Sequence, residues 1–226
     1  MSENPRVRQI AQAIWTFGCA LYLYGSTFLL SSTNLFVIEY VQKRSLRVNP
    51  YAIESMKIIT TRINAKIIPK DPLDAECTFG AMMNEAHMNK VLGYIEAGKA
   101  DGAELIYGGK QVNQESGGFY VEPTIYDGVK VDDRISQEEI FGPVLSVLSF
   151  KDEAEAVEIA NGTCFGLAAY VATQNLGRAQ RMGRDLKAGM IQVFGAADLS
   201  GGGVSISIEG QKQSGFGYAG GIAGLA

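Results

Sequence analysis

Thiols and imidazoles are the side chains best suited to nucleophilic or metal chemistry near neutral pH, and this chain of 226 residues has few of them. Its three cysteines are Cys19, Cys77 and Cys164, and His87 is its only histidine. No two cysteines have CxxC spacing, and an odd number fits a disulfide framework poorly. We therefore predict a reducing, cytoplasmic environment. A catalytic triad or a zinc site would need His87, whose polar neighbours indicate a helix surface instead.

The charge of the chain excludes one class of partner. It has 20 Lys and Arg residues against 24 Asp and Glu residues, and no basic run of useful length. Nucleic-acid binding relies on clustered Lys and Arg, so we expect no nucleic-acid partner. Apolar residues make up 46% of the chain, which is enough to bury a core.

Helical and extended patterns alternate from about residue 80 onwards. Apolar, β-rich runs predict strands at 144–150, 167–173 and 190–195, with helices between them that Asp152 and Asn175 would cap. This order predicts right-handed βαβ units. The fold class is therefore α/β, a twisted, mostly parallel sheet with helices on both faces. We expect the three strands to be buried neighbours.

The first part of the chain is unusually apolar, because residues 9–38 form a run of 30 residues without a charge. About 20 apolar residues suffice to span a membrane. Gly18, Gly25 and the polar residues 31–34 interrupt the run, however. We favour a divergent segment over residues 1–50 that forms a buried helix and strand, and keep a membrane span and a frameshifted segment as alternatives.

One motif has a specific resemblance. The segment "QEEIFGPVLSVLSF", residues 137–150, resembles the aldehyde dehydrogenase superfamily, most clearly in "EEIFGPV". The segments "GGFYVEPTIYDGV", "ANGTCFGLAAYVAT" and "GQKQSGFG" resemble family segments in the same order. Together they cover about residues 71–221.

This resemblance implies a function. Family members oxidise an aldehyde to a carboxylic acid with NAD or NADP, by attack of a cysteine thiolate on the carbonyl. A glutamate activates the water that releases the acid. The resemblance implies that residues 51–226 are the C-terminal part of the thiol-bearing catalytic domain, acting on a small aldehyde, and that the cofactor domain is absent.

The same resemblance assigns two cofactor-binding residues. Glu139 matches the glutamate that holds the nicotinamide ribose hydroxyls, and Phe141 matches the aromatic residue beside the nicotinamide ring. A carboxylate suits a diol because it accepts two hydrogen bonds. We expect both residues at the carboxyl end of the sheet, where open α/β folds bind ligands. The structural alternative is that Glu139 caps a turn and Phe141 fills the core.

The nucleophile is missing from its expected position, so no catalytic residue is assigned. The family places its cysteine shortly before a strand of the "SRLFV" type. If "TNLFV" is that strand, the position falls on Leu29; if "RSLRV" is, it falls near Tyr40. Cys19 lies upstream in an apolar setting, and burial makes a thiol inert.

Two further substitutions affect the expected oxyanion hole. Phe28 and Phe194 stand where family members have asparagines, and a phenyl ring donates no hydrogen bond to an oxyanion. We therefore expect activity to be impaired or lost. The alternative function is a non-catalytic remnant or interaction protein, which keeps the fold and associates with itself or with an intact homologue.

Overall fold

The computed structural model describes residues 27–31, 34–38, 69–75, 77, 79–173, 175–194 and 208–219. Cys19, the predicted helix before residue 27 and the alternative nucleophile position at Tyr40 lie outside these residues. The helices are α1 (Glu85–Ala100), α2 (Arg134–Gln137), α3 (Glu153–Asn161) and α4 (Leu176–Asp185). The longer strands are β1 (Thr27–Ser31), β2 (Asn34–Ile38), β3 (Glu104–Tyr107), β6 (Thr124–Asp127), β7 (Val144–Ser149), β9 (Ala168–Ala172) and β10 (Met190–Phe194). The two-residue strands are β4 (Gln111–Val112), β5 (Tyr120–Val121), β8 (Phe165–Gly166), β11 (Ile208–Glu209), β12 (Gln211–Lys212) and β13 (Tyr218–Ala219).

The longer strands form one seven-stranded sheet in the order β10-β9-β2-β1-β7-β6-β3. Strand β9 is parallel to both β10 and β2, and β6 is parallel to β7. Strand β1 is antiparallel to β2 and to β7, and β3 is antiparallel to β6. Five strands therefore run in one direction, and β1 and β3 run in the other. The predicted α/β class with a mostly parallel sheet is confirmed.

The predicted order of the three central strands is only partly right. Strands β9 and β10 are neighbours, but β1 and β2 lie between β7 and β9. Strands β1 and β2 cause this difference, because β1 pairs with β7 and β2 pairs with β9. Burial of the third strand is also wrong: β10 is the last strand on its side of the described sheet, and Val193 is 42% exposed.

Asparagine or aspartate caps begin the three longer helices. Because such a side chain accepts a backbone N–H that the first turn leaves unpaired, it stabilises the helix start. The predicted caps Asp152 and Asn175 are both present. The oxygen–nitrogen distances are 2.8 Å from Asn84 to His87 N, 2.9 Å from Asp152 to Glu155 N and 3.0 Å from Asn175 to Arg178 N.

Helix α1 packs against the β5–β7 side of the molecule. Its Val91 and Ile95 are fully buried, and Tyr126 of β6 is buried against them. The Tyr126 hydroxyl donates a hydrogen bond of 2.6 Å to the carbonyl of Ile95. These contacts fix α1 relative to β6. Among the described residues, no helix is both long and apolar enough to cross a membrane.

Candidate functional site

Residues 138–143 connect α2 to β7 and carry both sequence-predicted site residues. We call this segment the 138–143 loop. It leads into β7 beside the start of β6, because Val144 pairs with Thr124. The loop therefore lies at the amino ends of the co-directional strands, and the predicted position at their carboxyl ends is wrong. The physical reason is that the motif precedes its strand rather than following it.

One face of α1 supports the loop. The His87 Nε2 atom lies 2.7 Å from the carbonyl oxygen of Phe141, and Lys90 Nζ lies 3.3 Å from that of Glu139. Residues three, four and seven positions apart share one face of a helix, so His87, Lys90, Val91 and Tyr94 all face the loop. The sequence interpretation placed His87 on a helix surface, but His87 is half-buried against the loop. Its helical spacing from Val91 was the signal that could have placed His87 on the buried face of the helix.

The loop backbone lies directly on α1 at Gly142. A Cβ atom added to Gly142 would lie 2.5 Å from Cγ2 and 2.7 Å from Cγ1 of Val91. Real Cβ atoms do not approach other atoms that closely, so Gly142 allows a contact that a larger residue would prevent. The glycine of "EEIFGPV" therefore serves close packing of the loop on the helix.

Both carboxylate oxygens of Glu138 are bound within the protein. The Tyr94 hydroxyl donates to Oε2 at 2.8 Å, and Arg134 Nε donates to Oε1 at 3.0 Å. The Arg134 guanidinium also lies 4.7 Å from the centre of the Tyr94 ring, a cation–π distance. The hydrogen bond from Arg134 and then that from Tyr94 lower the pKa of Glu138. Burial, followed by the bond to Glu138, raises the pKa of Tyr94.

The neighbouring carboxylate is in a different state. Glu139 is half-buried, and no hydrogen bond or ion pair reaches its carboxylate from the residues that the structure describes. Burial raises the pKa of Glu139, and the charge of Lys90 partly offsets this effect. A turn-capping bond, the structural alternative for Glu139, is not among its contacts. Its acceptor capacity is available to a ligand.

Phe141 presents its ring to solvent. The side chain is 56% exposed, so the alternative that Phe141 fills the core is wrong. Its backbone φ is +55°, in the left-handed region that a residue with a Cβ atom rarely adopts. Residues held in such conformations cluster at ligand sites. The loop thus places an exposed aromatic ring two residues from a carboxylate that has no hydrogen-bond partner among the described residues.

The structure supplies no thiol at the first of the two expected nucleophile positions. Leu29 lies within β1, where it pairs with Phe36 and Val147. Cys77 is half-buried, and its thiol donates to the Lys70 carbonyl at 3.4 Å. Cys164 is exposed after α3. Within the described residues, no cluster of three or more His, Cys, Asp or Glu side chains could bind a metal ion.

These features define a class of protein: an α/β domain in which a loop that leads into the sheet carries a half-buried carboxylate and an exposed aromatic ring. The sequence profile of the aldehyde dehydrogenase family matches residues 50–226. The chain therefore belongs to the aldehyde dehydrogenase family.

Curated relatives agree with this assignment. A betaine aldehyde dehydrogenase of Rhizobium leguminosarum bv. trifolii is 44% identical over 173 residues, which are 76% of this chain and 35% of the relative. An aldehyde dehydrogenase of Vibrio cholerae is 48% identical over 126 residues, 54% of this chain and 25% of the relative. The chain thus spans about a third or less of the length of these relatives.

Solved structures agree in fold as well. The indole-3-acetaldehyde dehydrogenase AldA of P. syringae, in complex with NAD+ and IAA, has a TM-score of 0.73 and 44% identity over 78% of this chain and 35% of that chain. The aldehyde dehydrogenase KauB of Pseudomonas aeruginosa has a TM-score of 0.77 and 35% identity over 99% of this chain and 41% of that chain.

Proposed function

We propose that this chain provides the nicotinamide-facing part of the catalytic domain of an NAD(P)-dependent aldehyde dehydrogenase. In this proposal Glu139 accepts hydrogen bonds from the nicotinamide ribose hydroxyls, and Phe141 packs against the nicotinamide ring. When bound, NAD or NADP supplies the hydride acceptor for oxidation of an aldehyde to an acid. The observation that supports this proposal most directly is in the 138–143 loop. There a carboxylate without a hydrogen-bond partner among the described residues lies two residues from an exposed aromatic ring.

The two adjacent glutamates divide the work in this proposal. Both carboxylate oxygens of Glu138 accept hydrogen bonds, from Tyr94 and from Arg134, and these bonds fix the start of the loop. Glu139 keeps its carboxylate for the ligand. Since the diol offers two donors to one carboxylate, this arrangement also orients the ribose. Relatives crystallised with NAD+, one of them also with octanal, support the cofactor and substrate class.

A titration of the purified 226-residue chain with nicotinamide mononucleotide tests the site. Glu139→Gln removes charge-assisted acceptors, so affinity should fall roughly 10- to 100-fold. Phe141→Ala removes a stacking surface and should cost about 3- to 10-fold. The matched controls are Glu115→Gln, an exposed carboxylate elsewhere, and Phe216→Ala, a fully exposed aromatic residue; both should bind normally. Equal affinity of all four variants would refute the assignment.

We further propose that the 226-residue chain, assayed by itself, does not oxidise aldehydes. The expected nucleophile position falls on Leu29 in one register and near Tyr40 in the other, and neither residue is a cysteine. Phe194, at the end of β10, replaces an expected hydrogen-bond donor. The loss of one oxyanion donor alone typically lowers the rate about 100- to 1000-fold.

The second candidate function is a non-catalytic chain that keeps the family fold and associates with itself or with an intact homologue. Leu29, at one of the two expected nucleophile positions, favours this candidate. A leucine there lacks a nucleophilic thiol, and β1 still pairs with β7 in the sheet. Sedimentation of the chain alone, and mixed with an intact family member, tests it. Co-sedimentation supports this function, whereas independent sedimentation of a monomer contradicts it.

A further inference from the structure

We propose that His87 is a positioning residue whose ring N–H holds Phe141 in its left-handed backbone conformation. The link to nicotinamide rests on the proposed function, but the conformational link between the two residues does not. The central observation is the distance of 2.7 Å between His87 Nε2 and the Phe141 carbonyl oxygen, across 54 residues of sequence.

The partner determines the tautomer of His87. A carbonyl oxygen only accepts hydrogen bonds, so Nε2 must carry the proton. The other ring nitrogen, Nδ1, is buried and has no hydrogen-bond partner among the described residues. The imidazole is therefore committed to one hydrogen bond, and that bond ends on the loop.

The histidine is itself well anchored. Its backbone N–H donates a hydrogen bond of 2.8 Å to the side chain of Asn84, the residue that caps α1. One helical turn further on, Val91 is fully buried and lies against Gly142, the residue after Phe141. The loop is thus held on both sides of the Phe141–Gly142 peptide bond by one rigid helix.

This restraint acts on an unfavourable conformation. The φ of +55° at Phe141 is disfavoured for a residue with a Cβ atom and must be imposed by the surroundings. A return to a right-handed or extended backbone would redirect the Cα–Cβ bond and move the exposed ring. The His87 bond therefore decides where the ring of Phe141 is presented.

Two variants of His87 separate the hydrogen bond from the bulk of the ring. His87→Phe keeps an aromatic ring but removes the donor, whereas His87→Gln supplies an amide N–H at the reach of Nε2. Carbon chemical shifts of Phe141 report its backbone conformation without any ligand, and titration with nicotinamide mononucleotide reports affinity. In His87→Phe we expect the Phe141 shifts to leave left-handed values and affinity to fall about 2- to 10-fold. His87→Gln should restore both.

Unchanged Phe141 shifts in His87→Phe would overturn the inference. Shifts that move in a chain that binds no nicotinamide mononucleotide would support the positioning role and refute the proposed function. Should His87→Phe not fold, the nitrogen shifts of the wild-type imidazole decide: a proton on Nε2 supports the inference, and a proton on Nδ1 alone contradicts it.

Discussion

At the scale of single residues, the adjacent glutamates Glu138 and Glu139 have different surroundings, which shift the pKa values of their carboxyls in opposite directions. Glu138 accepts hydrogen bonds from Arg134 and Tyr94, and these bonds lower the pKa of its carboxyl. Glu139 meets no such donors among the described residues, and burial raises the pKa of its carboxyl. The sequence motif identified Glu139 but did not reveal this division, because it depends on where Tyr94 and Arg134 lie in space.

The raised pKa of Glu139 predicts a pH dependence of ligand binding. The ionised carboxylate accepts charge-assisted hydrogen bonds on both oxygens, and the protonated carboxyl does not. Affinity should therefore rise with pH as Glu139 ionises, in a window above the ordinary glutamate pKa of 4.5. The ratio of wild-type to Glu139→Gln affinity for nicotinamide mononucleotide measures this directly, because the ligand phosphate titrates equally in both. A ratio that does not change with pH would contradict the role of Glu139.

A second residue-scale prediction concerns the contact between Gly142 and Val91. Gly142→Ala should lower the free energy of unfolding by about 1–3 kcal/mol, because its Cβ would overlap Val91. Urea denaturation measures the loss, which should shrink when Val91→Ala is also present. The control is Gly93→Ala, whose Cβ meets nothing within 4 Å, so that it should stabilise α1 by about 0.5–1 kcal/mol. Equal effects of Gly142→Ala in both backgrounds would argue against the contact.

At the scale of secondary structure elements, α1 is the support of the site. Its Val91 and Ile95 have helical spacing in the sequence, and both are buried as such spacing requires. The contacts of His87 and Lys90 with the loop were not predictable, since they join residues 54 and 49 positions apart. Periodicity shows which face of a helix is buried but not which segment covers it.

The hydrogen bond from Tyr126 of β6 to Ile95 of α1 predicts how stability changes at alkaline pH. Burial raises the pKa of Tyr126 to about 12 from 10.0. The contribution of Tyr126 to stability is therefore complete below pH 10 and is lost as the pH rises from 10 to about 12. Tyr126→Phe should cost about 0.5–1.5 kcal/mol at neutral pH, because the bond to Ile95 is lost. Denaturation at several pH values should also show that the free energy of unfolding of Tyr126→Phe falls less steeply above pH 10 than that of the wild type. The same steepness in both proteins would contradict this account.

At the scale of the whole molecule, the fold class and family were predictable and the strand order was not. The motif around residues 137–150 defined the family, and local patterns defined β7, β9 and β10. Long-range pairing decides their order, and β1 and β2 separate β7 from β9. Periodicity within one strand contains no information about such neighbours. The position of the loop at the amino ends of the strands was missed for another reason, since the motif precedes its own strand rather than following one.

We propose that this chain has a cofactor-facing loop but no cysteine at either expected nucleophile position, Leu29 or Tyr40. The most direct test is aldehyde-dependent formation of NADH by the purified 226-residue chain, with a panel of aldehydes and with Cys19→Ala as a matched variant. We predict no NADH formation by either protein above the background without enzyme. Aldehyde-dependent NADH formation by the wild-type chain that disappears in Cys19→Ala would contradict the account, because Cys19 would then be the nucleophile.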